Sequence, residues 1–105
     1  MRIAILGNGG FGTAMAMTLE RVGHSVSMWG HDPVYTESIA ASRTNPRYLS
    51  GITLPDAIRI SSDAASVLDS AEVILVAVPT QHIRAVLIGM PAELGSHAPV
   101  VSLAK

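Results

Sequence analysis

Short apolar runs alternate with segments of helical periodicity along the 105-residue chain. The apolar runs predict five strands, over residues 3–6, 25–29, 58–61, 73–78 and 100–103. Apolar residues that recur every three or four positions predict helices over residues 11–22, 33–43, 64–68 and 81–88. The stretch 45–55 holds two prolines and a glycine, which predicts an ordered loop.

The alternation of strands and helices indicates an α/β domain with a parallel sheet. The run over residues 3–6 is apolar at every position, which is typical of a strand buried on both faces. Right-handed crossovers favour a Rossmann-type doubly wound sheet with strand order 3-2-1-4-5. Gly23 is expected to end the first helix, and Asp32 followed by Pro33 is expected to begin the second.

Composition narrows the class of protein. Hydrophobic residues make up 49% of the chain, charged residues make up 14%, and the mean hydropathy is +0.40, which excludes intrinsic disorder. The formal charge of −1 provides no basic surface for nucleic acid or anionic lipid. The longest apolar run, residues 73–79, is far shorter than the roughly 20 residues of a membrane-spanning helix. Without cysteine, disulfides and sulfur-ligated metals are excluded, and we expect a cytoplasmic protein without a metal site.

The first predicted turn reads Gly7-Asn8-Gly9-Gly10-Phe11-Gly12 and matches the pattern G-x-G-x-x-G. It follows a predicted strand and opens a predicted helix, as in dinucleotide-binding βαβ units. Gly7 would permit the tight turn, Gly9 the approach of a pyrophosphate, and Gly12 close packing of the helix. The free N–H groups at the helix start would then face the phosphates. A structural turn without a ligand is the alternative.

The residues after the second strand bear on the choice of dinucleotide. An acidic residue about 20 positions beyond the glycines usually binds the ribose 2′-hydroxyl of NAD. Asp32 lies at about that distance, but its place before Pro33 also explains it as a helix cap. His31 could donate a hydrogen bond to the 2′-phosphate of NADP, or could be an exposed loop histidine. NAD and NADP therefore both remain candidates.

The glycine motif, within residues 3–14, is one of several segments that together resemble a known family. The others are residues 23–26, 29–32, 45–55, 76–81 and 102–105. They resemble the amino-terminal domain of the bacterial type of NAD(P)-dependent glycerol-3-phosphate dehydrogenase over the whole chain. The stretch 45–55 is the most specific, because many dehydrogenases share the glycine motif. The resemblance implies that residues 1–105 form an NAD(P)-binding domain whose helical substrate domain is absent.

The resemblance also implies an activity and a set of contacts. The family exchanges a hydride between glycerol 3-phosphate and NAD(P)+, giving dihydroxyacetone phosphate, a reaction of glycerophospholipid metabolism. Its general acid/base is a lysine in the following helical domain, so no catalytic residue is expected here. The cofactor contacts that it implies are Gly10, Phe11, His31, Asp32, Tyr48 and Lys105, of which Lys105 would also bind substrate. Gly10 stands where serine is more usual, and Phe11 where tryptophan or tyrosine is frequent.

Topology points independently to one edge of the sheet. Ligands of open parallel sheets bind outside the carboxyl ends of the strands. The glycine loop, His31, Pro79 and Lys105 each follow a predicted strand, so we expect them to converge there. Lys105 is the only lysine, and its ammonium group suits a phosphate or a developing alkoxide, although a solvated residue is the alternative.

Two other functions remain open from the residues alone. A stand-alone nucleotide-binding or sensor module would share the glycine loop, and a stop codon directly after Lys105 would distinguish it. A methyltransferase that uses S-adenosylmethionine would normally have an acidic residue where Gly30 and His31 stand. Because the last predicted strand has no covering helix after it, we expect a piece of a longer enzyme that binds the cofactor without turnover. The resemblance allows a homodimer of the whole enzyme.

Overall fold

The computed structural model of the chain describes residues 1–47, 49–78 and 98–102. These residues contain seven strands: β1 (Arg2–Leu6), β2 (Ser25–Trp29), β3 (Thr44–Asn45), β4 (Leu49–Thr53), β5 (Arg59–Ser61), β6 (Val73–Val76) and β7 (Val100–Ser102). They also contain three helices: α1 (Gly10–Arg21), α2 (Pro33–Ser42) and α3 (Ala64–Leu68). No helix in this part of the chain has the length and apolar character needed to cross a membrane. The helix predicted over residues 81–88 lies outside the described residues.

Five of the strands form one parallel sheet in the order β5-β2-β1-β6-β7. Numbered along the chain within this sheet alone, the order is 3-2-1-4-5, so the predicted topology is confirmed. Strand β1 lies at the centre, where Leu6 pairs with Trp29 on one side and with Val76 on the other. Because the strands are parallel, their last residues lie along one side of the sheet, which we call the carboxyl edge: Leu6, Trp29, Ser61, Val76 and Ser102.

The central strand explains why its sequence is apolar throughout. Ile3 and Ile5 belong to a core cluster that includes Ala16 of α1 and Ile39 of α2. The alternate residues, represented by Leu6, belong to a second cluster on the other face, which includes Val67 of α3. Successive side chains of a strand point to opposite faces, so burial on both faces requires an apolar residue at every position.

Both longer helices begin and end where the sequence predicts, within one residue. The Asp32 carboxylate accepts a hydrogen bond from the Tyr35 N–H at 3.2 Å, and Pro33 occupies the first turn of α2. Helix α2 ends at Ser42, and Arg43, its C-cap, adopts a left-handed conformation with φ of 60°. Helix α1 is followed by Gly23, with φ of +103°, as expected for a glycine that stops a helix.

The prediction of a loop over residues 45–55 was wrong in part, because this stretch takes part in a small antiparallel sheet. Strand β3 pairs with β4, with Asn45 opposite Leu49. The sequence pattern missed both strands, because the two residues of β3 are too few to show a periodicity and Gly51, in the middle of β4, is a typical loop residue. The hairpin is joined to the main core by Leu54, which is buried and whose N–H donates to the Arg43 carbonyl at 2.7 Å.

Candidate functional site

The glycine loop begins at the carboxyl edge, directly after the central strand. Gly7 is buried and has φ of +129°, a conformation that side-chain-bearing residues rarely adopt. Its N–H donates to the Trp29 carbonyl at 2.7 Å, which continues the pairing of β1 with β2. A Cβ at this position would lie 2.7 Å from the Ala77 carbonyl oxygen. Both the backbone angle and the neighbouring strand therefore require glycine here.

Gly12 allows α1 to pack directly on the loop that precedes it. A Cβ at Gly12 would lie 2.5 Å from the Gly7 carbonyl oxygen and 3.4 Å from the Ala77 Cβ. The first of these neighbours is backbone, which cannot move aside as a flexible side chain can. The start of α1 is consequently held against the ends of β1 and β6, at the centre of the carboxyl edge.

Gly9 differs from both, because a Cβ at this position would meet no atom within 4 Å. Gly9 is the N-cap of α1, and no side chain caps the helix there. The first intrahelical bond joins the Thr13 N–H to the Gly9 carbonyl at 3.0 Å. The N–H groups of residues 10–12 precede that bond and so have no carbonyl four residues earlier in the helix. Open space beside these donors, at the positive end of the helix dipole, fits a diphosphate.

Gly10 and Phe11, which carry the first two of these donors, differ in what else they can offer. Gly10, like Gly9, presents only its backbone. Phe11 is 55% exposed, so a large apolar ring lies at the surface in the first turn of α1. A planar ring beside a phosphate cradle can contact the flat face of a cofactor ring. The contact of Phe11 with a nicotinamide remains a prediction.

His31 and Asp32 follow β2 at the same edge of the sheet. His31 is exposed. Asp32 is half-buried, and one of its carboxylate oxygens caps α2 through the Tyr35 N–H. The helix-capping explanation of Asp32 is therefore observed in the geometry. The contact of either residue with a ribose or a 2′-phosphate stays a prediction.

A buried polar network lies beneath the glycine loop, and sequence reasoning missed it. The Asn45 side-chain amide donates to the Asn8 carbonyl at 2.8 Å and to the Thr13 hydroxyl at 2.9 Å. The Asn8 side-chain amide donates to the Thr36 hydroxyl at 3.2 Å. Thr13, Thr36 and Asn45 are fully buried. The residues come from four separate segments, so no spacing along the chain could have indicated the network.

Tyr35 extends this network to the hairpin. Its hydroxyl donates to the Asn45 side-chain oxygen and accepts a hydrogen bond from the Arg47 N–H at 3.1 Å. The Arg47 guanidinium carbon lies 4.0 Å from the centre of the Tyr35 ring, a cation–π contact. These contacts join the hairpin to the first turn of α2. The only feature of the sequence that could have indicated these contacts is that Asn45 and Arg47 fall in the stretch 45–55.

Three of the predicted site residues, Tyr48, Pro79 and Lys105, lie outside the described residues. The structure brings the glycine loop and the segment of His31 and Asp32 to the carboxyl edge, as the predicted topology requires. Among residues 1–47, 49–78 and 98–102, no group of three histidine, aspartate or glutamate side chains could hold a metal ion.

A glycine loop that ends the central strand of a parallel sheet and opens a helix defines the Rossmann class of α/β domains. The family within that class follows from sequence comparison. The sequence model of the family described as "NAD-dependent glycerol-3-phosphate dehydrogenase N-terminus" matches residues 2–105, and the chain belongs to this family. The resemblance noted in the sequence is thereby confirmed.

Individual relatives agree with this assignment. The chain is 40% identical over 103 residues to glycerol-3-phosphate dehydrogenase, NAD(P)+ type, of Chelativorans sp. (strain BNC1), covering 98% of this chain and 32% of that protein. It is 44% identical over 103 residues to the enzyme of the same name from Pseudomonas entomophila (strain L48), covering 98% of this chain and 30% of that protein. The crystal structure of glycerol-3-phosphate dehydrogenase from Coxiella burnetii superimposes with a TM-score of 0.81 at 28% identity, covering 99% and 32%. The chain thus spans about a third of the length of these relatives.

Proposed function

We propose that residues 1–105 form the NAD(P)-binding domain of a glycerol-3-phosphate dehydrogenase. The observation that carries the proposal is the geometry of the glycine loop: close packing at Gly7 and Gly12, with open space at Gly9 beside the first N–H groups of α1. Membership of the family supports it. The whole enzyme would oxidise glycerol 3-phosphate with NAD(P)+, as the names of the relatives state for those proteins, and the family resemblance gives dihydroxyacetone phosphate as the product.

The residues would divide the binding of the dinucleotide between them. The amides from Gly9 to Gly12 would hold the diphosphate, and the positive end of α1 would favour its charge. Phe11 would border the nicotinamide, while His31 and Asp32 would border the adenosine ribose. A bound nicotinamide dinucleotide supplies the hydride acceptor or donor, and the protein supplies binding and orientation.

The remaining contacts of the proposed site come from residues whose roles rest on sequence. Tyr48 would contribute to the cofactor pocket, and Pro79 would lie at the carboxyl edge after the strand over residues 73–78. Lys105 would bind both cofactor and substrate through its ammonium group, which suits a phosphate. No catalytic residue is assigned to this chain.

The cofactor is NAD or NADP, and the geometry of the Asp32 segment bears on the choice. One oxygen of Asp32 is engaged as the cap of α2, which leaves the other to accept a hydrogen bond from a ribose hydroxyl. Exposed His31 beside it could donate to a 2′-phosphate. We therefore propose that the domain accepts both dinucleotides.

Two further properties of the whole enzyme belong to the proposal. A cytoplasmic location is supported by the absence of cysteine, which fits a reducing compartment. A homodimer is what the resemblance to the family allows. Cell fractionation would test the first, and light scattering on the whole enzyme would test the second.

Titration of the 105-residue chain with NADH and NADPH, followed by fluorescence, tests the central proposal. The informative variant is Gly9→Asp, because aspartate is a favoured N-cap and its charge also suits the helix dipole. We expect it to fold with at least the stability of the original chain, yet to bind NADH at least about tenfold more weakly, through charge repulsion of the diphosphate.

Gly9→Asn is the matched control, since it has nearly the same shape as Gly9→Asp without the charge. We expect it to lose less affinity than Gly9→Asp. Unchanged NADH binding by Gly9→Asp, with its fold verified by circular dichroism, would show that the phosphates lie elsewhere.

A further inference from the structure

The orientation of a single peptide group determines what the glycine loop presents to a ligand. The carbonyl of Asn8 accepts two side-chain hydrogen bonds, from the Thr13 hydroxyl at 3.2 Å and from the Asn45 amide at 2.8 Å. Both donors lie on the buried side of the loop, because Thr13 and Asn45 are fully buried. The Asn8 carbonyl oxygen is therefore directed into the protein.

The Gly9 N–H belongs to the same peptide group and points the opposite way. In a trans peptide the carbonyl and the following N–H are antiparallel, and the described residues contain no cis peptide. The Gly9 N–H is thus directed away from Thr13 and Asn45. Within the part of the chain that the structure describes, no acceptor takes a hydrogen bond from it. A rotation of this peptide would instead present a carbonyl oxygen, which repels phosphate.

Asn45 holds the peptide with every group of its side chain engaged. Its two amide hydrogens go to the Asn8 carbonyl and the Thr13 hydroxyl, and its oxygen accepts from the Tyr35 hydroxyl. Such a saturated buried amide has one favourable orientation, since any other would leave buried polar atoms without partners. Asn45 lies 37 residues from Asn8 along the chain, so the anchor comes from the hairpin and not from the loop itself.

We infer that Asn45 is a positioning residue, which orients the Asn8–Gly9 peptide so that the Gly9 N–H faces the diphosphate of the cofactor. The inference rests on the proposed function and assigns a role to a fully buried residue that would act through the backbone of the loop. The hydrogen bonds formed before binding would keep the donor from having to reorganise when phosphate arrives. Asn45 would thereby act on phosphate recognition and leave recognition of the adenosine unchanged.

The test compares ADP, which carries the diphosphate, with adenosine, which lacks it, in titrations of the 105-residue chain followed by amide NMR. We expect Asn45→Ala to weaken the binding of ADP and of NADH by about tenfold or more, which is the effect of losing one hydrogen bond to an ionic group. Adenosine should bind within about twofold of its original affinity. The amide signal of Gly9 should shift on ADP addition in the original chain and shift less in the variant.

Two further variants separate orientation from folding. Thr13→Val keeps the shape of the side chain and removes the second donor to the Asn8 carbonyl, so it should also weaken ADP selectively. It provides the same test if Asn45→Ala does not fold. Ile60→Val is the control, because it removes a buried methylene from strand β5 without touching the loop network. It should leave the ratio of ADP to adenosine affinity unchanged.

Specific outcomes would overturn the inference. Equal losses of ADP and adenosine affinity in Asn45→Ala would show a general structural role, and unchanged ADP affinity would show no role. If the original chain bound NADH but not ADP, the inference would be wrong, while the proposed binding of NADH would still hold. If it bound neither NADH nor ADP, the proposed function would fail as well.

Discussion

Single glycines in the loop serve three different physical purposes. Gly7 is required by its positive φ, Gly12 by the backbone oxygen next to it, and Gly9 leaves room beside the helix start. The motif in the sequence predicts a requirement for glycine at all three positions. It does not by itself say that a Cβ at Gly12 would meet the Gly7 carbonyl oxygen while a Cβ at Gly9 would meet no atom, because that depends on how the loop folds back on the helix.

Residue-level prediction worked best where a side chain acts on its own neighbours in sequence. The cap by Asp32 and the start of α2 at Pro33 are local, and the structure has both. The roles of Thr36 and Asn45 are not local. Each is a buried polar residue whose partner lies 28 or 37 positions away, so only the folded chain identifies it.

His31→Ala tests whether the exposed histidine reads the 2′-phosphate. We expect the Kd for NADPH to rise about tenfold and the Kd for NADH to stay within about twofold, since a hydrogen bond to an ionic group is lost only with NADPH. Fluorescence titration with the two cofactors measures both constants. His24→Ala is the matched control, because His24 precedes β2 at the opposite end of the strand. Equal losses for the two cofactors in His31→Ala would refute the selective role.

Helices and strands in this chain largely follow from local pattern. Strand β2 and helix α3 have the predicted bounds, and helix α2 ends one residue before its predicted end. The hairpin of β3 and β4 is the exception. Arg43 and Leu54, which flank it, are hydrogen-bonded to each other, and the Arg43 guanidinium also donates to the Ile58 carbonyl. Propensity over the two residues of β3, and over a β4 that contains Gly51, is too weak to predict such a pairing from the sequence.

Gly12→Ala tests how closely α1 packs on the glycine loop. Alanine in place of glycine inside a helix would normally stabilise it by up to about 1 kcal/mol. Here the added Cβ would lie 2.5 Å from the Gly7 carbonyl oxygen, so we expect a net loss of about 1–3 kcal/mol in the free energy of unfolding. Urea denaturation measures it.

Gly9→Ser is the matched control for Gly12→Ala, because a Cβ there meets nothing and serine is a favoured N-cap. Its stability should be unchanged or slightly higher. A Gly12→Ala protein as stable as the original would mean that the loop and helix can separate at little cost.

At the level of the entire fold, the parallel sheet determines which segments meet. Strand order places the loop after β1 between the ends of β2 and β6, so the Gly7 N–H reaches Trp29 and a Cβ at Gly7 would reach Ala77. The right-handed crossover rule leaves few topologies, and the doubly wound pattern favours this one among them. The packing of the hairpin under the loop was not predictable from that rule, because the hairpin lies outside the main sheet.

The chain spans about a third of its relatives, and this leads to a prediction about turnover. We expect the purified 105-residue chain to bind NADH but to produce none from NAD+ and glycerol 3-phosphate above background. Hydride transfer needs the alcohol held against the cofactor and a group to accept its proton, and no residue here is assigned to that step. Absorbance at the NADH band measures it, with a complete glycerol-3-phosphate dehydrogenase as the control. Sustained NADH formation by the chain would show that the groups that hold the alcohol and accept its proton lie within these 105 residues.

The five strands of the main sheet, the three described helices, the strand order and the glycine loop could be predicted from the linear sequence, because each depends on periodicity, on local capping or on a general rule of chain connection. The hairpin, and the buried network in which Asn45 anchors the Asn8 carbonyl, could not. Both are stabilised by pairing groups that are distant in the chain. Nothing in the identity of an asparagine or threonine indicates which group it will pair with, because the pairing forms only when folding removes water from both. The space left open at Gly9 has the same origin, since it is defined by the atoms that surround it in three dimensions.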